Sequence, residues 1–594
     1  MDWPECAGKT GDELRECLCD LPLFVSVTTE CLARAVVNDS NPYDAFDRGY
    51  LSLCQREPEV EVLVDIVPDD LLQDGVQTAK AAIQNKKLSQ IYGLVLMLFW
   101  MSICLIRIIA VTLSAFAPGC AQKIRESKIS SHFKSMILYP ATVNGKHALP
   151  VLRIGKFSIR LPVRWITIVL VVFVFLNFVF LFSSFTIVER SITFKTQSMQ
   201  FKRVLGYRSA CLTMFLLPVL LLFGGRNNFL MPWTRWNHGV FVIFHKWIAR
   251  MIMVNIATHA ICYSLLRTEQ GLYPGVFRKF YWKWGAAGIG SLSLLIFFSL
   301  PYFRRYKYEL FLVSHILLAV SFVVSAWYHV RTLDYGKYHV IAAIVVWGAD
   351  RLLRFLRMAL LSPRHATIRH SKHVSCLVID NSGHWEAEAG NYIYVHFSKL
   401  RFWESHPFSV VPTPEGNIKL CIQRKEGLTG MLDSLTDDKM KVWIDGPYGY
   451  HTSYKNHDRM VLIAGGIGIT QSLGIIYGLL EEKVPRKISL YWSIPYLDYL
   501  EFFVDDIERL QTDIEIKIFV TRDSPDETQA KKSFPIEYEH MDIKSIITDN
   551  CEKDPSVAFM VCGPPRMNDT VRKESCDALK NGASLTYTEE LFCD

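Results

Sequence analysis

Seven windows of the chain are apolar almost end to end: Ser89–Ala117, Trp165–Ile187, Tyr207–Phe223, Val240–Leu266, Trp284–Tyr302, Leu310–Val330 and Tyr338–Phe355. At 1.5 Å per residue each covers most or all of a ~30 Å hydrocarbon core, so the pattern predicts seven membrane helices. From about residue 360 the pattern changes to short β-type runs. Val374–Asp380, Tyr392–Phe397, Phe408–Val411, Ile418–Gln423 and Lys441–Ile444 are separated by turn residues, as in a small antiparallel barrel. Further on, Met460–Ala464, Ile488–Ser493, Ile514–Val520 and Ala558–Cys562 alternate with helical stretches such as Gln471–Leu480. That alternation predicts a parallel α/β unit whose ligand sits at the strand C-terminal ends. The expected division is an outward segment 1–88, a first transmembrane helix 89–117, a linker 118–164, a six-helix membrane domain 165–358, a barrel 360–452 and an α/β domain 455–594.

Charge orients the spans. The linker 118–164 carries Lys123, Arg125, Lys128, Lys134, Lys146, Arg153, Lys156 and Arg160, and Phe303–Glu309 and Arg351–Arg357 are also basic. Basic stretches stay cytosolic, which places residues 1–88 outside and everything after 358 inside. The loop 267–283, with Arg267, Arg278, Lys279 and Lys283, argues weakly the other way. A net charge of +7 over 594 residues is too modest to suggest a nucleic-acid partner; the expected surroundings are membrane lipid. The outward segment holds Cys6, Cys17, Cys19, Cys31 and Cys54 and a sequon at Asn38. Disulfides are plausible there, but five is odd, so one thiol is unpaired or the segment is incomplete. Met1–Asp20 lacks the apolar core of a secretory signal, so either the first span is the insertion signal or the true start lies upstream.

Four histidines give the membrane windows their chemistry. His245 and His259 share one window, His315 and His329 another, each pair fourteen positions apart. Fourteen residues rise ~21 Å and return to within ~40° of the same helix face. The two helices are separated by one returning helix and so run parallel, which puts His245 level with His315 and His259 level with His329. A lone membrane histidine could equally bond a neighbouring helix. Two matched pairs of a costly residue are the geometry of two stacked bis-imidazole haems, suited to passing single electrons.

Two stretches of the barrel region and three of the α/β region suggest nucleotide cofactors. In His406-Pro407-Phe408-Ser409 a hydroxyl at Ser409 can hydrogen-bond a flavin edge, though the four residues could be only a strand start. Gly427-Leu428-Thr429-Gly430 offers small residues and free amides to a pyrophosphate. The turn with Gly465, Gly466, Gly468 and Thr470 joins a strand to a helix, where glycines admit a diphosphate or simply allow tight packing. Cys562-Gly563-Pro564 follows another strand, and Thr521-Arg522 a third.

Taken in order, the histidine helices, His-Pro-Phe-Ser, Gly-Gly-Ile-Gly-Ile-Thr and Cys-Gly-Pro-Pro resemble the fungal ferric reductase family, relatives of the NADPH oxidases, over about residues 165–594. The cytosolic half is similar to ferredoxin–NADP reductases, an antiparallel FAD barrel followed by an α/β NADPH domain. The resemblance implies FAD, two haems b held by His245, His315, His259 and His329, and NADPH as donor, with Arg522 left as the candidate for its 2′-phosphate because Ile494-Pro495 stands where relatives often place an arginine. It makes Arg208, Arg226 and Arg250 candidates for holding haem propionates. It implies a metalloreductase of the plasma membrane, with vacuolar or ER membranes as alternatives, passing electrons outward to ferric chelates or Cu(II) in iron uptake, alongside a metal permease/oxidase system. A superoxide-generating oxidase would differ only in its acceptor; a haem conduit or receptor without turnover is the reading of a different class. The run Glu589–Asp594 resembles the family's terminus except that Asp594 replaces an aromatic residue, which would leave the flavin face open.

Overall fold

The computed structural model describes residues 69–591 apart from 156, 334–335, 382–384, 386–387, 389, 402–403, 426, 436–438, 450–456, 483, 485, 524–533 and 555. The expectations for Cys6, Cys17, Cys19, Cys31, Cys54, Asn38 and Asp594 fall outside the described residues.

Each of the seven apolar windows falls mostly in a long helix, α1 Asp69–Phe116, α2 Arg164–Phe182, α3 Gln197–Gly224, α4 His238–Glu269, α5 Phe280–Phe298, α6 Tyr308–Val330 and α7 Lys337–Leu361, although α2 ends five residues and α5 four residues before the window does. By length and composition α1, α2, α3, α4 and α6 can cross a membrane. The other two are less apolar: Tyr281-Trp282-Lys283-Trp284 opens α5, and α7 carries Asp350, Arg351, Arg354 and Arg357. Helix α1 begins twenty residues before the apolar window. Its 48 residues span ~72 Å, because Ala79, Ala81, Asn85 and Ser89 give the polar stretch a buried stripe. Helix α3 is central, packed by α1, α4 and α7. Trp100, Phe173, Phe223 and Phe244 fill the space between α1, α2, α3 and α4, and a reciprocal Asn177–Asn255 amide pair satisfies the buried polar groups of α2 and α4.

Seven antiparallel strands follow: β1 Arg364–His370, β2 Val374–Ile379, β3 Tyr392–Phe397, β4 His406–Ser409, β5 Val411–Pro412, β6 Ile418–Gln423 and β7 Met440–Tyr448, in the order β4-β3-β7-β1-β2-β6-β5. The run expected as one strand over 408–411 is two. The chain leaves its pairing with β3 at Ser409, Val410 donates its N–H to Asn391, and Val411 pairs with β6. The last region is a six-stranded parallel sheet of β8 Arg459–Gly465, β9 Lys487–Ile494, β10 Glu515–Val520, β11 Ile536–Glu537, β12 Val557–Cys562 and β13 Leu585–Glu590. Its order is β11-β10-β9-β8-β12-β13. Strand order reverses between β8 and β12, so a crevice opens above their C-terminal ends, flanked by helices α8 Ile469–Glu481 and α9 Pro565–Lys580.

The linker 118–164 is itself structured and docks on this sheet. The Asp569 carboxylate, on α9, accepts the backbone N–H groups of His147, Ala148 and Leu149 at 2.9, 2.8 and 3.0 Å. Arg572 donates to the Tyr139 carbonyl at 2.5 Å, and the Tyr139 ring lies edge-on to Tyr587.

Candidate functional site

Helices α4 and α6 bring the four histidines together in two levels. Ring centroids are 6.4 Å apart for His245–His315 and 6.0 Å for His259–His329. Two imidazoles on opposite sides of one metal, each with its nitrogen ~2 Å away and its ring centre ~1.1 Å further back, have centroids ~6.3 Å apart. Both pairs therefore stand at a spacing one metal ion can bridge.

The other ring nitrogens settle which atom faces the gap. His245, His259 and His329 each hold Nδ1 2.8 Å from a carbonyl, those of Leu220, Gly206 and Tyr281. A carbonyl only accepts, so Nδ1 carries the proton and Nε2 keeps its lone pair. His315 lies 3.2 Å from Ser299 Oγ, whose own hydrogen goes to the Leu295 carbonyl, which leaves it to accept from Nδ1. Glycines make room: a Cβ on Gly224 would meet the His245 ring at 3.0 Å, and one on Gly285 the His329 ring at 2.9 Å. Among the described residues no cluster of three or more His, Cys, Asp or Glu could hold a bare ion. Two imidazoles per level suit a haem, whose macrocycle supplies the remaining four nitrogens.

The three arginines named as propionate partners are not gathered together. Arg208 is fully buried and donates to the Ser183 and Ser184 carbonyls beneath Tyr92 and Phe185. Arg250 lies over Trp247, 4.6 Å from its ring centre. Arg226, in the loop after α3, reaches the barrel: it lies 3.6 Å from the centre of the Tyr394 ring and 3.2 Å from Asp445. Arg354 of α7 reaches the same carboxylate at 3.0 Å, and Asp445 is fully buried on β7. The sheets thus sit at the His245–His315 end of the bundle.

In the barrel, Ser409 is buried on β4 opposite Tyr392, beside Tyr394 and Tyr448. Burial pushes the Tyr392 phenol up, and the nearby Glu590 carboxylate adds to it. Burial also lifts Glu590 to about 7, helped by neighbouring Glu589, and Glu590 in turn acts on the buried Cys562 thiol, pushed up chiefly by its own burial. The structure therefore converges Ser409, Tyr392, Cys562 and Glu590 at the junction of barrel and sheet. Sequence reasoning named Ser409 and Cys562 but missed Tyr392 and Glu590, since Glu590 belongs to a strand, β13, that the alternation in Leu585–Glu590 could have signalled.

The glycine turns do two jobs. A Cβ at Gly468 would lie 2.1 Å from the Cys562 carbonyl, at Gly465 2.4 Å from Pro564, and at Gly563 2.6 Å from Met567, so these residues let the β8 and β12 turns touch. Gly466, at φ +55° with a Cβ meeting nothing nearer than 3.8 Å, accepts the Trp492 indole N–H on its carbonyl at 2.8 Å. Thr470 spends its hydroxyl on the Ile467 carbonyl at 3.0 Å. In the second loop Leu428 is buried, Thr429 bonds back to Lys425, and Gly427 needs its φ of +91°. Arg522 sits 5.8 Å from the Tyr496 ring, beyond the ends of β9 and β10. The two domains are pinned by Lys419–Asp506 and His373–Asp498, each 2.6 Å.

Residues 209–326 match the family described as "Ferric reductase like transmembrane component", 365–452 match "FAD-binding domain" and 457–576 match "Ferric reductase NAD binding domain". The probable ferric reductase transmembrane component of Candida albicans is 30% identical over 74% of this chain and 67% of its own length. The chain belongs to the ferric reductase family. Ferric/cupric reductase transmembrane component 1 of the same yeast is also 30% identical, over 74% of this chain and 59% of its own length. Ferric/cupric reductase transmembrane component 2 of Saccharomyces cerevisiae is 24% identical over 79% and 72%. Within this family member, the FAD-binding match spans Ser409 and the Gly427–Gly430 loop, and the NAD-binding match spans both turns of the crevice.

Proposed function

We propose that this chain is a transmembrane metalloreductase that passes electrons from cytosolic NADPH to ferric chelates, and to Cu(II), on the opposite side of the membrane. When bound, NADPH supplies a hydride, FAD divides the pair into single electrons, and two haems b carry them between the levels of His245–His315 and His259–His329. The protein's part is positioning. The crevice turns at Gly465–Thr470 and Cys562–Pro564 hold the nicotinamide nucleotide, with Tyr496 offering a ring and Arg522 a cation to its adenosine end. The barrel holds the flavin by Ser409 and the Gly427–Gly430 amides, and Arg226 and Arg354 keep it against the inner histidine level.

The observation that carries this reading is the pair of imidazole gaps at ligation spacing, each Nδ1 already committed. His245 with His315 and His259 with His329 would each hold a haem, which would supply single-electron transfer suited to a bulky chelate. The test is NADPH-driven formation of an Fe(II)–ferrozine complex by the purified protein, without oxygen and with superoxide dismutase in air. Activity in both conditions supports metalloreduction; loss in both makes superoxide the real product.

A further inference from the structure

The outer end of the bundle goes against the charge pattern that orients it. Segments 183–203, 266–283 and 331–337, all at the end away from the sheets, hold ten Lys and Arg against three Asp and Glu. Outward loops normally carry few cations, so the surplus serves something other than topology. One of these cations closes on a tyrosine and another stands one helical turn from it. The Arg203 guanidinium donates to the Tyr263 hydroxyl, with its carbon 5.3 Å from that ring centre and 5.8 Å from the Tyr207 ring. Arg267, four residues after Tyr263 on α4, donates to Gln270 Oε1 at 2.7 Å, and its Nε is buried without a hydrogen-bond partner. The Tyr263 ring is 4.8 Å from the His259 ring. On the other side, Arg331 sits 4.7 Å from the ring of Tyr328, the residue before His329. Cations that only anchored the bundle in lipid headgroups would snorkel outward; Arg203 turns inward, onto the ring beside His259, and Arg267 follows Tyr263 by one turn of α4.

We propose that this basic rim is the acceptor-docking site and that it selects anionic metal complexes, such as ferric polycarboxylates, over cationic or neutral acceptors. The inference rests on the metalloreductase reading. One electron, drawn from NADPH, reduces Fe(III) to Fe(II) in the docked complex, and no bond or proton is exchanged with the rim. A fixed positive field around an electron-exit point raises the local concentration of anions and weakens as salt screens it.

The probes are ferricyanide, a trianion, and hexaammineruthenium(III), a trication, each reduced by the full-length protein in nanodiscs with NADPH. Raising ionic strength from ~0.01 to ~0.15 M should lower kcat/KM for ferricyanide and raise it for the ruthenium complex. The Arg203→Gln/Arg267→Gln variant should lower the ferricyanide-to-ruthenium selectivity ratio about tenfold, mainly through KM, and Arg203→Lys/Arg267→Lys should restore most of it. An unchanged ratio, or equal loss for both probes, overturns the proposal. If the glutamine variant loses its haem spectrum, parallel salt slopes in the unaltered protein overturn it instead. Reduction of neither probe would sink the metalloreductase reading itself.

Discussion

Asp445→Asn should loosen the barrel from the bundle and slow electron entry into the membrane without slowing flavin reduction. Asp445 has no solvent exposure, accepts the Tyr448 hydroxyl, and lies 3.2 Å from Arg226 and 3.0 Å from Arg354, whose side chains are 20% and 21% exposed. Removing one partner of a buried ion pair costs about 3–5 kcal/mol because the other charge is left uncompensated. Here water reaches a fifth of each arginine and asparagine still accepts one hydrogen bond, so about 2–3 kcal/mol is a better figure. At 1.4 kcal/mol per decade that is roughly a 30- to 140-fold shift away from the docked barrel. Stopped-flow absorbance separates the steps: flavin bleaching by NADPH should keep its rate, and haem reduction should fall. Hydrogen–deuterium exchange should rise along β7 and around Gly225–Asn227. If haem reduction and exchange both match the unaltered protein, the clamp is incidental and the reasoning fails.

His245→Ala or His315→Ala should remove the inner haem and stop transfer to any outer acceptor while NADPH still reduces the flavin; a full low-spin haem spectrum in either variant would refute the ligand assignment. Glu590→Gln should change how cytosolic stability depends on pH. With its acid raised from the ordinary 4.5 to about 7, the folded state holds a proton the unfolded chain has lost between those values. Stability should therefore fall as pH rises across that window, by at most about 3 kcal/mol, and thermal melts of the glutamine variant should be flatter there and higher at pH 8. Asp569→Ala strands three backbone N–H donors of 147–149 and should cost about 2 kcal/mol of linker docking. Limited proteolysis within 140–160 should accelerate, and unchanged cleavage would count against the docked linker.

Local pattern made much of this legible. The seven apolar windows fall mostly in long helices, and the histidine spacing places the rings at two levels because a helix returns to the same face after fourteen residues. The split at Val410 was not legible, and the strand Leu585–Glu590 was only partly so. The first depends on which neighbour a strand pairs with, and the second alternates apolar and polar residues but ends in two acids that look solvent-exposed. One of them, Glu590, is held in a buried setting only by the sheet around it. Arg226 illustrates the same limit from the other side, since its pairing with Asp445 appears only once the barrel is in place.

The contacts that join the domains are carboxylates whose partners lie 219 and 422 positions away in sequence, Asp445 with Arg226 and Asp569 with the N–H of His147. Neither has a sequence signal, because a buried aspartate reads as a surface residue until its donors are known. Together they bracket the electron path. Asp445 fixes the flavin-side barrel to the inner histidine level, and Asp569, on the helix that starts beside the Cys562–Pro564 turn, fixes the nucleotide crevice to the linker between α1 and α2. Helix α1, with the linker that follows it, thus does something the histidine helices cannot. It holds the nucleotide domain in register with the membrane, so that losing α1 with its linker should leave the four imidazoles in place while that domain loses its second anchor.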